Sequence, residues 1–398
     1  MIDNFTHYLG RYKEFMIDWN IIEAQKKVFN ITLAYFFSKV DDILNKDKLL
    51  KIDNDSNVLF IESTNSIDWM WLWDWIFKTW AIDKLKEEWF NLSILTNENR
   101  KLIFENKWNE VIGVNWNLFD IIKTWYNIKW QFSHIISMNP SWQILLLNFI
   151  CSPKKHIKHF ISYDEMKKKN HIEMYWNILT KDFLYSKDIR LNTSIVLSER
   201  VRKESEGKIN KIQWKFYIWI NIWASSWLRH YKGWEEVISS LNKVNNNLNK
   251  VNNNLIFVLY WKDNTLWLDK QIETKFDNIL NFVWKTESLY DVYWIIDQMD
   301  LNIWSDWWNI NASIALGKES IVIESVVDWK LRTSKDWQNT KIVKTICEKW
   351  KCYIKNMWTK CLVTNQSCND HEHTPPCLIN ISSEVVTLVE KSLKNLEN

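Results

Sequence analysis

The chain has 398 residues, a formal net charge of +3 and 25% charged residues, a near-neutral balance that makes no demand for nucleic acid. No apolar run reaches the roughly 18 residues of a membrane span, and Met1-Ile2-Asp3-Asn4-Phe5 lacks the basic and apolar regions of a secretory signal. A cytoplasmic protein, long enough for two domains of ordinary size, is the expectation.

One compositional feature stands apart. There are 29 tryptophans against 5 glycines, where ordinary usage of about 7% glycine would give roughly 28 glycines in a chain this long. The tryptophans interrupt turn-like strings: Trp71-Leu72-Trp73-Asp74-Trp75, Trp223-Ala224-Ser225-Ser226-Trp227 and Ser305-Asp306-Trp307-Trp308-Asn309. Such turns need the φ > 0 or close backbone approach that glycine supplies and tryptophan does not. The expectation is that most of these positions are UGA codons read as glycine in the source organism. The competing reading is a truly Trp-rich protein, such as an aromatic carbohydrate binder.

In chain order, residues 10–45 space apolar positions by alternating four- and three-residue steps, which predicts helix and an appended N-terminal extension over 1–50. Asn57 to Ile61 reads as a buried strand, 76–88 as a helix, 91–96 and 111–114 as strands, and 119–124 as the start of a helix. The polar, Lys-rich stretch 160–210 suits the end of a first domain (51–210). A second series opens with a strand at 215–221. It continues through a helix (235–248), a strand (255–260), a strand-like segment (279–283), a helix (289–298), a strand (301–303), a helix (310–316) and a strand (320–324). This alternation predicts parallel α/β units: two Rossmann-like domains, the second over 211–380, facing across a cleft with ligands at the carboxyl ends of their strands. The heptad 241–247 repeats at once as 248–254 and reads as an insertion that lengthens a surface helix or its exit loop.

Three segments carry chemistry. With glycine in place of the tryptophans, the first strand runs into a glycine-rich turn, Asp68 to Ile76, that opens a helix. Such a turn offers helix N-terminal N–H groups to an anion and projects Asp74, whose plain alternative is a helix cap. In the second segment, Ser225, Ser226 and Arg229 precede a helix start, an arrangement able to clamp a diphosphate. The third runs from Asn281 through Lys285-Thr286-Glu287-Ser288 and then from Met299 to Lys318. It contains Asp306, Trp307, Trp308 and Asn311 in a strand–turn–helix with small residues in the helix.

Together these segments resemble the bacterial heptosyltransferase family, the ADP-heptose:lipopolysaccharide transferases and their relatives, over residues 57 to 395. The resemblance implies the GT-B arrangement of two Rossmann-like domains. It also implies an inverting, metal-independent glycosyltransferase moving heptose or a related sugar from a nucleotide-diphosphate donor, such as ADP-heptose, to a saccharide or lipid-linked glycan. Asp74 falls at the general base. Ser225, Ser226, Arg229, Thr286, Asp306, Trp307, Trp308 and Asn311 fall at donor-binding positions. No metal or further cofactor is expected. The expected partners are the nucleotide sugar and a glycan or glycolipid acceptor, with peripheral contact at the inner face of the membrane admitted and nucleic acid excluded. Departures from the family are Arg229 at its Lys, Tyr231 at its Trp, Lys232 and Glu319 at prolines, and Asn311 at its His. The last favours the runner-up, a catalytically inactive relative that binds a glycan or nucleotide sugar. A non-hydrolysing sugar-nucleotide epimerase on the same architecture is a third reading.

Cys151 stands alone as a small hydrophobe. Cys347, Cys352, Cys361, Cys368 and Cys377 crowd beside His371 and His373, a spacing open to zinc, to disulfides or to reduced thiols. The tail also resembles the family's own ending, which is not generally a metal site. The last helix (382–396) is expected to pack back on the first domain.

Overall fold

The computed structural model describes residues 56–61, 91–98, 101–105, 110–115, 117–128, 130–138, 155–159, 195–222, 230–247, 255–260, 268–283, 285–305, 308–324, 339–345 and 376–395. The chain divides into two units at Ile189/Arg190. The predicted N-terminal helices, the helix over 76–88 and the second copy of the heptad lie outside the described residues.

In the first unit, β1 (Asn57–Ile61), β2 (Asn91–Asn97), α1 (Lys101–Phe104), β3 (Glu110–Val114), α2 (Leu118–Ile128), β4 (His134–Met138) and β5 (Lys155–His159) follow one another. The five strands are all parallel, in the order β3-β2-β1-β4-β5. Val58, Leu59, Phe60 and Ile61 are each at most 1% exposed. A strand apolar on both faces is buried on both faces, which is the condition of a parallel sheet covered on each side. Leu59 and Ile61 join Leu95, Val114 and Ile135 with Ile121, Trp125 and Ile128 of α2 in one core cluster.

The second unit begins earlier than expected. Its elements are α3 (Glu199–Ser205), β6 (Phe216–Asn221), α4 (Trp234–Asn247), β7 (Leu255–Tyr260), α5 (Leu268–Lys275), β8 (Ile279–Asn281), α6 (Leu289–Gln298), β9 (Leu301–Ser305), α7 (Trp308–Ala315), β10 (Glu319–Ile323), β11 (Thr340–Val343) and α8 (Ser382–Asn395). The sheet is parallel throughout, in the order β11-β10-β9-β6-β7-β8. Counted from its own first strand, each unit therefore winds outward one way and then reverses beside that strand. This is the doubly wound Rossmann order, with its switch point at β1/β4 in one sheet and β6/β9 in the other.

Residues 195–210, read from sequence as the tail of the first domain, belong to the second unit. Val201 and Ile209 are buried, Ile195 donates its N–H to the Ala315 carbonyl, and α3 packs on α6. Three apolar positions in a Lys-rich stretch suffice to anchor it, and composition hid them. The described contacts of α8 are with α4, β10 and β11 of its own unit, where Val385 and Val389 are fully buried. Ser382 donates to Glu236 at 2.6 Å, so the Tyr231 hydroxyl donates to Ser382 at 2.7 Å. At the other end Ser392 donates to Glu319 (2.6 Å), which also pairs with Lys341.

Candidate functional site

In a doubly wound sheet, ligands collect beyond the carboxyl ends of the strands near the switch point. In the second unit those ends are Asn221 (β6), Tyr260 (β7), Asn281 (β8) and Ser305 (β9). Of the residues expected to act, Thr286 and Asn311 lie within the described residues, and both follow such ends: Thr286 after β8, Asn311 on α7 immediately after β9. Trp308 opens α7, its side chain outside the description. Asp74, Ser225, Ser226, Arg229, Asp306 and Trp307 lie outside the described residues.

The segment carrying Thr286 is held from both sides. On the β8 side, Asn281 donates its amide to Asp269 (2.8 Å) and Glu273 (3.1 Å), while its carbonyl oxygen accepts from the N–H of Val283 (3.0 Å). On the α6 side, Ser288 and Asp291 form a reciprocal capping box, the pattern that satisfies two orphan donors of a helix start. Asp291 accepts from the N–H groups of Glu287 and Ser288 (3.0 Å each) and from Lys208 (2.6 Å), with Ser205 farther off at 3.3 Å. Burial by itself would raise the Asp291 pKa. Lys208 and the two backbone donors outweigh it, and the carboxyl titrates below the ordinary aspartate range.

The Thr286 side chain acts on Tyr260 at the end of β7. Burial pushes the Tyr260 hydroxyl up to about 12 against the pull of Thr286, with Asp291 adding to the rise. Neither Tyr260 nor Asp291 was singled out from the sequence. The signals were there: an apolar strand ending on a tyrosine, and Ser288 with an acidic residue three positions on.

Asn311 is fully buried, and neither its amide nitrogen nor its carbonyl oxygen has a partner. An unpaired buried amide costs about 1–3 kcal/mol, so this residue is out of place as plain packing. Cys377 is half-buried and carries a thiol rather than a disulfide. The other cysteines, with His371 and His373, lie outside the described residues. Among the described residues no cluster has the make-up of a metal centre, and no helix is long and apolar enough to cross a membrane.

Two parallel sheets, each in Rossmann order, are the elements of the GT-B fold. The chain superposes on a family 9 glycosyl transferase of Veillonella parvula with a TM-score of 0.65 at 13% identity, over 88% of this chain and 99% of that one. For the ADP-heptose lipopolysaccharide heptosyltransferase II of E. coli the TM-score is 0.63 at 10% identity, over 86% and 100%. For a dodecameric glycosyltransferase of enterotoxigenic E. coli, described as iron-containing, it is 0.52 at 11% identity, over 87% and 78%. A scan of protein-family models and a search of curated proteins return no match. At these identities the likeness is one of fold.

Proposed function

We propose that the protein is an inverting, metal-independent glycosyltransferase. It moves heptose or a related sugar from a nucleotide-diphosphate donor such as ADP-heptose to a saccharide or lipid-linked glycan, at or near the inner face of the membrane. One observation supports the reading: 86% of the chain superposes on the whole of a heptosyltransferase II with a TM-score of 0.63. Along the chain, the three motif segments that suggest that family come after β1, after β6, and from β8 through α7. In this reading the second unit binds the donor and the first presents the acceptor. Asp74 takes the proton of the acceptor hydroxyl as its oxygen attacks the anomeric carbon. Arg229 with Ser225 and Ser226, the start of α7 beside Asp306, Trp307 and Trp308, and the Thr286 segment hold the diphosphate and sugar. A cation and a helix end placed where leaving-group charge develops do the work that a metal does elsewhere.

As part of the same reading, most tryptophans in the turn motifs are glycine in the native protein, through an alternative genetic code. The turns around Asp74 and after β9 then bring backbone N–H groups close to substrate, which tryptophan there would block. A second reading, an inactive relative that binds a glycan or nucleotide sugar, is favoured by Asn311 standing at the family's histidine.

A nucleotide-sugar screen by thermal shift identifies the donor, since a ligand bound only to the folded state raises its apparent stability. Transfer is then assayed with glycine at the turn codons. Asp74→Asn should leave donor binding intact and lower transfer about 10²–10⁴-fold, the range of general base catalysis. EDTA should change neither. Full activity in Asp74→Asn removes the assigned base. Donor binding with no turnover on any glycan acceptor supports the inactive relative, and an absolute need for a divalent cation moves the protein to another mechanistic class.

A further inference from the structure

Three described helices are followed, two positions past their last residue, by a residue at φ > 0. In α3 the last helical residue is Ser205, and Gly207, two positions on, takes φ +87°. In α7 the last is Ala315, and Gly317 takes φ +74°. In α2 the last is Ile128, and the residue two positions on, at φ +69°, is Trp130. The closing bonds of α3 and α2 match as well. The residue after the left-handed position donates its N–H to the last helical carbonyl, Lys208 to Ser205 (3.2 Å) and Gln131 to Ile128 (3.1 Å). Each is a β-turn whose third residue takes φ > 0, the position that glycine fills without a Cβ penalty. A bulky aromatic side chain at φ > 0 is an outlier. Trp130 takes this φ with its side chain 71% exposed.

A second irregularity sits inside the second sheet. Trp219 of β6 and Trp304 of β9 are fully buried and stacked at 5.5 Å between ring centroids. Neither indole N–H has a partner. Asn302, paired in register with Trp219, is also fully buried with an unpartnered amide. Buried polar groups are hydrogen-bonded in native structures, and each exception calls for an explanation. Among the described residues two other tryptophans behave differently. Trp125 lies mid-helix in the core cluster of the first sheet, where glycine would weaken the helix. Trp234 opens α4 edge-on to Tyr231 at 5.0 Å. Neither leaves a buried N–H without a partner.

We infer that positions 130, 219 and 304 are glycine in the native protein, while Trp125 and Trp234 are genuine tryptophans. This rests on the reading of a reassigned UGA codon, but selects the positions from backbone geometry and burial instead of composition. The gene and the native protein test it together. UGA is expected at codons 130, 219 and 304, with glycine in the corresponding peptides by mass spectrometry. UGG and tryptophan are expected at 125 and 234. Tryptophan at every one of the 29 positions would overturn codon reassignment and this inference with it. Glycine at 71, 307 or 308 but tryptophan at 130, 219 and 304 would leave reassignment standing and overturn the inference alone. So would glycine at 125 or 234. An independent check uses recombinant protein made with tryptophan at these codons. Trp130→Gly should raise the melting temperature and Trp125→Gly should lower it by several degrees; the opposite signs would refute the assignment.

Discussion

Asp291→Ala tests whether the Thr286 segment is held as the geometry indicates. The carboxylate serves two backbone N–H groups and the Lys208 ammonium. Loss of a helix cap costs about 1 kcal/mol. A hydrogen bond to a charged group is worth about 1.5–3 kcal/mol, and the lower end applies because the Lys208 side chain is 29% exposed and can rehydrate. The sum is about 2–3 kcal/mol. In a unit of this length each kcal/mol moves Tm by about 2–4 °C, so Asp291→Ala should melt about 4–12 °C below wild type by circular dichroism. The acid limb gives a second readout. The folded pKa is depressed, so the unfolded chain binds the proton more readily. The contribution of Asp291 is present above the ordinary aspartate pKa of about 3.9 and lost as pH falls through the lower folded value. Wild type should therefore lose stability below about pH 4 more steeply than Asp291→Ala. A variant within about 0.5 kcal/mol of wild type, the scale of an ordinary surface change, with an unchanged acid limb would refute the assignment.

Tyr260 should titrate only when the protein is strongly alkaline. Its folded pKa of about 12 lies above the ordinary tyrosine value of 10.0, so the stability it lends is intact below about pH 10 and falls as pH rises toward 12. In Tyr260→Phe that part of the alkaline loss should disappear from urea melts; an identical alkaline limb would rule out Tyr260 as its source. Asn311→Leu removes an unpaired buried amide and should leave stability within about 1 kcal/mol of wild type or raise it, while nucleotide-sugar affinity falls. A destabilisation above about 2 kcal/mol would mean that the amide has a structural partner in solution, and undiminished affinity would take Asn311 out of the donor site.

Much of this fold was legible along the chain. Runs such as Val58-Leu59-Phe60-Ile61 and the strand of residues 216–221 are apolar on both faces, and only a covered parallel sheet buries both faces of a strand. Local pattern therefore sufficed for β1, β2, β3, β6, β7, β9 and β10, and for the helices α4, α6 and α8 to within a residue or two. Local pattern did not reveal β4, β5, α5 or β11. In β4, His134 and Ser137 break the apolar run, and the strand exists because β1 offers it a full ladder of backbone partners. The same holds for α3, whose Lys-rich surface hides Val201, its one buried apolar residue. In the site, chemistry-bearing residues could be picked out by type and spacing, since Thr286 and Asn311 sit in recognisable strings. Their surroundings could not. That Thr286 meets a tyrosine from β7, that Asp291 draws Lys208 from beyond β6, and that Asn311 ends buried with no partner are consequences of strand order. Sequence separation conceals strand order, because a crossover brings together residues whose local patterns carry no record of each other.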